Sequence, residues 1–366
     1  MKILVVRGNP RKNGYTSHIT NLVVRGAREN GAEIDDLDLS KYSIKTCKGC
    51  YLCWTLSHGV CVQKDDMADL LERVLAADVV VMSTPLYYYA ISAVLKTFIE
   101  RTFPLFKPGS EETPAGLMKN SVRYPDKWRN KRMLVVVAGA FRDREDFAGI
   151  RETFGLMAGG MSMELAGMII RPESYLLQFE LSKPMTSKII ETALVRAGME
   201  VATMGAVTPD TIEKACSPMS VDTRHFRTYS DVYWEHSVAL RGEATDLARV
   251  QRNVTADVRI LMREMARSID PVAAARLKAT LQFDFTDKDL HFTLEVDRGT
   301  CALTQGGSAD KPHLRVTTTT VVWASVFMRE TSMKDALLAR SVVLQGDRSI
   351  FARLDRYFPP PWGGGR

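Results

Sequence analysis

The stretch Lys2-Ile3-Leu4-Val5-Val6-Arg7-Gly8-Asn9-Pro10-Arg11-Lys12-Asn13-Gly14-Tyr15-Thr16-Ser17 decides the architecture of the first half of the chain. It opens with the apolar run Ile3–Val6, which predicts a strand buried on both faces. A turn-rich loop follows, and then Ile19, Leu22, Val23 and Ala27 mark one face of a helix that ends at Gly31. A strand that hands over through a tight loop to a helix presents unpaired backbone N–H groups at the helix start. Such groups suit a phosphate monoester. Arg11 adds a charge-assisted bond, and the Asn9 amide and the Thr16 hydroxyl are further donors. The loop is neither a G-x-G-x-x-G nor a Walker A sequence. On spacing alone the anion site competes with a plainer role, in which Thr16 only caps the helix.

The same strand-and-helix rhythm repeats five times to about residue 205. Ile34, Leu37 and Leu39 predict a second strand, and Asp65 or Asp66 caps a helix that buries Leu70, Leu71, Val74 and Leu75. Val79–Met82 predicts the third strand, followed by a helix with Ala93, Val94 and Phe98 inward. Met133–Val137 and Leu165–Ile170 predict the fourth and fifth strands, with helices near Asp146–Met157 and Ile189–Met204. Repeated βα units predict a doubly wound parallel sheet. Five strands fit the flavodoxin-like order 2-1-3-4-5, with the ligand at the carboxyl ends of the strands. Residues 104–130, rich in Pro, Gly and charge, predict a long excursion at that end, either a lid or a support for a subunit contact.

From about residue 206 the pattern changes to α+β. A helix is expected over Thr245–Arg267, then antiparallel strands at Thr280–Phe285, Leu290–Val296, Thr300–Leu303 and His313–Thr320. Helical stretches at Val322–Ala339 and Ser349–Tyr357 follow, and Pro359–Arg366 reads as a disordered tail. The expected domains are residues 1–235 and 236–366. A chain of 366 residues is long enough for two domains. Its net charge of +6 is spread along the chain without interleaved aromatic residues, which argues against a nucleic-acid partner. No charged segment with an apolar run precedes Lys2, and no apolar run approaches ~18 residues, so a cytoplasmic protein without a membrane span is expected.

Two further features carry chemistry. Ser83-Thr84-Pro85-Leu86-Tyr87-Tyr88-Tyr89 closes the third strand, and three tyrosines after a proline make a flat wall against which a planar ring system packs. The alternative is that they pack under the long excursion or at a subunit contact. Cys47, Cys50, Cys53 and Cys61 give C-x2-C-x2-C-x7-C after the second strand. In a reducing compartment this spacing points to a [4Fe–4S] cluster, to zinc, or to a tight loop without metal. Cys216 and Cys301 stand apart and are expected to be inert.

These residues resemble the NAD(P)H-dependent FMN reductases, and more closely their iron–sulfur flavoprotein branch. The family's G-S-P-R-x-x-G-N-T is similar to Gly8-Asn9-Pro10-Arg11-Lys12-Asn13-Gly14-Tyr15-Thr16, departing at Asn9 and Tyr15. Its S-P-V-Y-F/W loop is similar to Thr84-Pro85-Leu86-Tyr87-Tyr88, and its F-I-D-R-T to Phe98-Ile99-Glu100-Arg101-Thr102. A third flavin-contacting segment falls at Ala138-Gly139-Ala140-Phe141, and Cys47–Cys61 with Asp65-Asp66-Met67 resembles the compact cysteine motif.

The resemblance implies an FMN oxidoreductase that passes electrons from NAD(P)H to a small acceptor such as a quinone or a flavin. It implies FMN contacts at Asn9, Arg11, Gly14, Tyr15 (by its backbone), Thr16, Pro85, Leu86, Tyr87, Tyr88, Gly139 and Ala140. Backbone donors at Leu86, Tyr87 and the Gly139 loop would serve the ring's N1–O2 edge, and the nicotinamide would stack near Tyr88 and Tyr89. No side-chain acid or base is required. Relatives pair as homo-oligomers. An electron carrier without its own nicotinamide site and a lipid-binding redox sensor are the competing expectations. The last ~115 residues resemble a sterol carrier protein type 2 domain over Leu314–Phe358, with Trp323, Met333-Lys334-Asp335-Ala336-Leu337 and Gly346-Asp347. That resemblance implies an apolar lipid ligand, or a scaffold that has lost one.

Overall fold

In the computed structural model the described residues are 1–113, 116, 118–178, 184–220, 222–239, 247–328 and 330–359. They form two compact units, and the first comprises Met1–Leu177 and Met185–Met219. Its elements in chain order are β1 (Lys2–Arg7), α1 (Tyr15–Glu29), β2 (Glu33–Asp38), α2 (Leu52–Thr55), α3 (Met67–Ala76), β3 (Val79–Pro85) and α4 (Ala93–Glu100). There follow β4 (Phe106–Glu112), β5 (Met118–Val122), α5 (Pro125–Trp128), β6 (Arg132–Ala138), α6 (Ala148–Gly160), β7 (Glu164–Arg171), α7 (Pro184–Met204) and α8 (Pro209–Ala215).

The main sheet has the order β2-β1-β3-β6-β7, all pairs parallel, which is the expected 2-1-3-4-5 arrangement. β3 is buried throughout, and β1 is buried from Ile3 to Arg7, because helices cover both faces. Leu4, Val6, Val80, Met82, Met133, Val135 and Val137 pack with the apolar residues of α3, α4 and α6. Ile3, Val5, Val81 and Leu134 face Val23, Val24 and Ala27 of α1 and Val201 of α7. The latter two helices cross at glycine: a Cβ on Gly26 would lie 1.8 Å from Val195 O, and one on Gly198 would lie 1.8 Å from Val23 O. No larger residue fits this crossing.

The acidic sequence of β2 is balanced from both sides, since successive strand residues point to opposite faces. Asp36 accepts from Arg7 Nε (2.6 Å) and Nη2 (2.9 Å), while Asp35 pairs with Arg73 of α3. Lys131 is buried and donates to the carbonyls of Val74 and Ala77, closing the C-terminus of α3. The excursion at residues 104–130 contains an antiparallel hairpin, β4–β5, and the short α5, which local composition did not reveal.

The second unit runs from Ser220. It holds α9 (Thr223–Ala239), α10 (Leu247–Thr255), α11 (Val258–Arg267), β8 (Lys278–Phe285), β9 (Leu290–Asp297), β10 (Thr300–Gln305) and β11 (Leu314–Thr318). It closes with α12 (Thr320–Phe327), α13 (Met333–Leu338), β12 (Val343–Gly346), α14 (Arg348–Phe351) and α15 (Leu354–Tyr357). The sheet order is β10-β9-β8-β11-β12. The expected antiparallel sheet is corrected in one place, because β8 and β11 are parallel. The helix expected over Thr245–Arg267 is two helices from Leu247 on, broken where Asp257 caps α11 through Arg259 N (2.9 Å). Thr245, Asp246 and residues 360–366 of the tail lie outside the described residues.

One side of this sheet is apolar. Leu281, Phe283, Phe285, Phe292 and Leu294 are buried there, and Trp323 packs edge-on against Phe283 and Phe285. The alternate positions form a polar network. Asp284 accepts from Gln282 (2.8 Å) and Arg315 (2.7 Å) and pairs with His291 (2.8 Å), while Gln282 Oε1 accepts from Thr293 (2.9 Å).

Candidate functional site

The carboxyl ends of β1, β3 and β6 place three loops together. Gly8 follows β1 and lies against β3: its N–H donates to Ser83 O (2.8 Å), and its carbonyl accepts from Ser92 Oγ (2.6 Å). A Cβ here would lie 2.6 Å from Leu95 Cβ, so the loop runs as close to the start of α4 as a backbone allows. Leu86 N donates to Ala138 O (2.8 Å), tying the β3 loop to the β6 loop.

In the β1 loop, Asn9 is buried, and its Nδ2 donates to Arg11 O (2.9 Å) and Ser17 Oγ (2.8 Å). Ser17 Oγ in turn donates to Arg11 O (3.2 Å). Asn9 therefore shapes the loop, and its amide nitrogen is not the free donor expected from sequence. Its Oδ1 is buried without a partner among the described residues. Helix α1 begins at Tyr15 with Gly14 as N-cap and no side-chain cap bond. Thr16 is thus in the first turn and is not the cap. That turn carries no acidic residue, so nothing on the helix offsets the positive end of its dipole. Arg11 is exposed beside this turn, and Gly14 N donates to Arg11 O (3.2 Å).

The tyrosine loop is a two-residue hairpin turn. Tyr87 N donates to Ala90 O (3.0 Å) and Ala90 N to Tyr87 O (2.9 Å). Tyr88 and Tyr89 at its tip have φ of +47° and +62°. Tyr88 is fully exposed, while Tyr89 stacks on Phe141 of the β6 loop with ring centroids 5.8 Å apart and planes 12° from parallel. The structure corrects the assignment of backbone donors. The amides of Leu86 and Tyr87 are already bonded, and Gly139 N donates to Arg171 O (3.0 Å). Among the described residues the amides of Tyr88 and Ala140 make no such bond.

The four cysteines line one open hollow together with Tyr51, Arg101 and Phe103. Burial, followed by the neighbouring Cys61, Cys47 and Cys50 thiols, pushes the Cys53 thiol up. Two sulfurs have N–H donors: Gly49 N lies 3.5 Å from Cys47 Sγ and Arg101 Nη2 lies 3.5 Å from Cys61 Sγ. Arg101 is buried and also donates to Lys45 O (2.7 Å) and to both Asp65 oxygens (2.7 and 3.0 Å). The Arg101 guanidinium holds the Asp65 carboxyl down to about 2. Trp54 Nε1 donates to Phe103 O (2.8 Å), which fixes α2 against the hollow. Among the described residues, no three His, Cys, Asp or Glu side chains converge on a single ion. Four thiols lining one hollow, two of them with N–H donors, are the donor set that an iron–sulfur cluster takes. Burial pushes the thiols of Cys216 and Cys301 up, the latter to about 12, in keeping with inert roles.

Sequence reasoning offered Asp65 as a helix cap and placed Arg101 in a family-like segment, but it did not bring Arg101, Asp65 and Lys45 together beside the cysteines. The available signal was the acid–base complementarity of Asp65 after the last cysteine and a lone arginine closing an amphipathic helix.

The sheet order and the crevice at its carboxyl end define a flavodoxin-like domain. Within that class, residues 1–149 match the family model described as NADPH-dependent FMN reductase. It is 36% identical over 104 residues to an iron–sulfur flavoprotein of Archaeoglobus fulgidus, covering 28% of this chain and 46% of that protein. It is 32% identical over 102 residues to an iron–sulfur flavoprotein of Methanosarcina thermophila, covering 28% and 52%. The chain thus spans about half the length of these curated relatives. Residues 252–361 match the model of the alkyl sulfatase C-terminal domain, where the sequence had suggested a sterol carrier domain. No described helix is long and apolar enough to cross a membrane.

Proposed function

We propose that the chain is an FMN-dependent oxidoreductase that takes electrons from NAD(P)H and passes them to a small acceptor such as a quinone or a flavin. The observation that carries this is the uncapped start of α1, free of acidic side chains and flanked by Arg11, across the crevice from the Tyr87–Tyr89 turn. FMN, when bound, supplies the hydride acceptor and the two-electron store. The first-turn amides and Arg11 bind its phosphate. Asn9 Oδ1, an acceptor, suits a hydroxyl of the ligand's polyol chain better than a phosphate oxygen. Pro85, Leu86, Tyr87 and Tyr88 form the wall for the ring, and the Tyr88 and Ala140 amides are the donors left for its polar edge. The Tyr89–Phe141 stack stands at the edge of the same crevice.

A second reading is favoured by the cysteine hollow: Cys47, Cys50, Cys53 and Cys61 hold a [4Fe–4S] cluster, and the protein also works as an electron carrier. Such a cluster, when bound, divides an electron pair into single steps. Anaerobically purified protein tests both readings. Loss of the flavin absorbance on adding NADPH supports the first, and iron with acid-labile sulfide supports the second. Flavin that dithionite bleaches and NADPH does not would remove the nicotinamide step.

A further inference from the structure

Resting on the cluster reading above, we propose that Arg101 is a positioning residue that raises the electron affinity of the four-cysteine centre through its N–H···S bond to Cys61. Arg101 caps the C-terminus of α4 and reaches across to the loop that carries the cysteines. Its guanidinium divides its donors among three targets. Nη1 serves Lys45 O and Asp65 Oδ2, and Nη2 serves Asp65 Oδ1 and Cys61 Sγ. Lys45 and Asp65 stand at the two ends of the cysteine-bearing segment, so one side chain ties both ends and touches a sulfur between them.

A staple alone would need only the Lys45 and Asp65 bonds. The further bond to Cys61 is made although Nε is left buried without a partner among the described residues. The side chain is only 1% exposed, so water does not screen its charge. Asp65 offsets that charge at longer range and leaves its effect local to the nearest sulfur. Reducing an iron–sulfur centre by one electron adds one negative charge to it. Hydrogen bonds to its sulfurs and nearby charge stabilise the reduced form and raise the potential. Arginine is required because its planar fork serves carboxylate and sulfur together, whereas a lysine ammonium is a point charge on a flexible stem.

The test is a redox titration of full-length, anaerobically purified protein, following the centre by its electron paramagnetic resonance signal. Two variants are compared with wild type: Arg101→Lys, and Arg101→Gln combined with Asp65→Asn, which buries no unpaired charge. At the wild-type midpoint, both variants are expected to show about a tenfold lower reduced-to-oxidised ratio, a fall of about 59 mV for one electron. FMN content should not change. Loaded variants with the wild-type midpoint would overturn the inference and leave Arg101 a staple. Wild-type protein devoid of iron and sulfide would contradict the cluster reading itself, and this inference with it.

Discussion

Tyr88 and Tyr89 occupy left-handed backbone that two-residue hairpin turns usually give to Asn and Gly. Side chains with a Cβ are strained there, and such strain is kept where a site needs it. Tyr88 is fully exposed and so recovers nothing by packing. Tyr88→Gly is therefore expected to stabilise flavin-free protein by about 0.5–1 kcal/mol in thermal unfolding. The same change, like Tyr88→Ala, should weaken FMN binding with the fold intact. Unaltered flavin affinity would place the ring elsewhere. Across the crevice, Arg11→Glu sets like charge against the phosphate and should abolish FMN retention through purification. The types of these residues were visible in the sequence. What Asn9 and Leu86 do with their hydrogen bonds was not, because Asn9 bonds to Ser17 and Leu86 to Ala138 through loop shapes that only the folded chain defines.

At the scale of elements, the parallel strands other than β2 were legible because each buries a continuous or alternating apolar run, as in Val79–Met82, whereas β2 buries only Leu37. Periodicity names a strand but not its neighbour. Hence the parallel pairing of β8 with β11 and the four-residue β12 were missed. The helix break at Asp257 also escaped, since Asp257 sits within an uninterrupted helical pattern. Its carboxylate is buried, which raises its pKa, but bonds from Arg259 and His236 outweigh burial and leave it well below the usual range. A depressed folded-state pKa adds stability above the unfolded value of about 3.9 that is lost as pH falls through the folded one. The second domain should therefore lose stability on acidification below about pH 4. Asp257→Asn keeps the cap and should flatten that part of the profile, measured by urea unfolding at successive pH values. An unchanged slope would show that other carboxylates set it.

For the whole molecule, the change of rhythm near residue 206 marks the passage from the parallel sheet to the α+β region, and the described residues divide into two compact units at Met219/Ser220. Between the two sheets the chain forms α8 and then α9, which goes with the second unit. The polar face of α9 hides its buried positions, His225, Tyr229 and Val232, from a periodicity argument. The account as a whole rests on a mononucleotide seated between the β1 loop and the tyrosine turn. The most direct measurement is equilibrium dialysis of flavin-free, full-length protein against FMN and against riboflavin, read by visible absorbance. The account predicts a yellow protein holding about one FMN per chain, with riboflavin bound far more weakly because it lacks the phosphate that α1 and Arg11 hold. Protein that stays colourless in excess FMN, or binds riboflavin equally well, would contradict it.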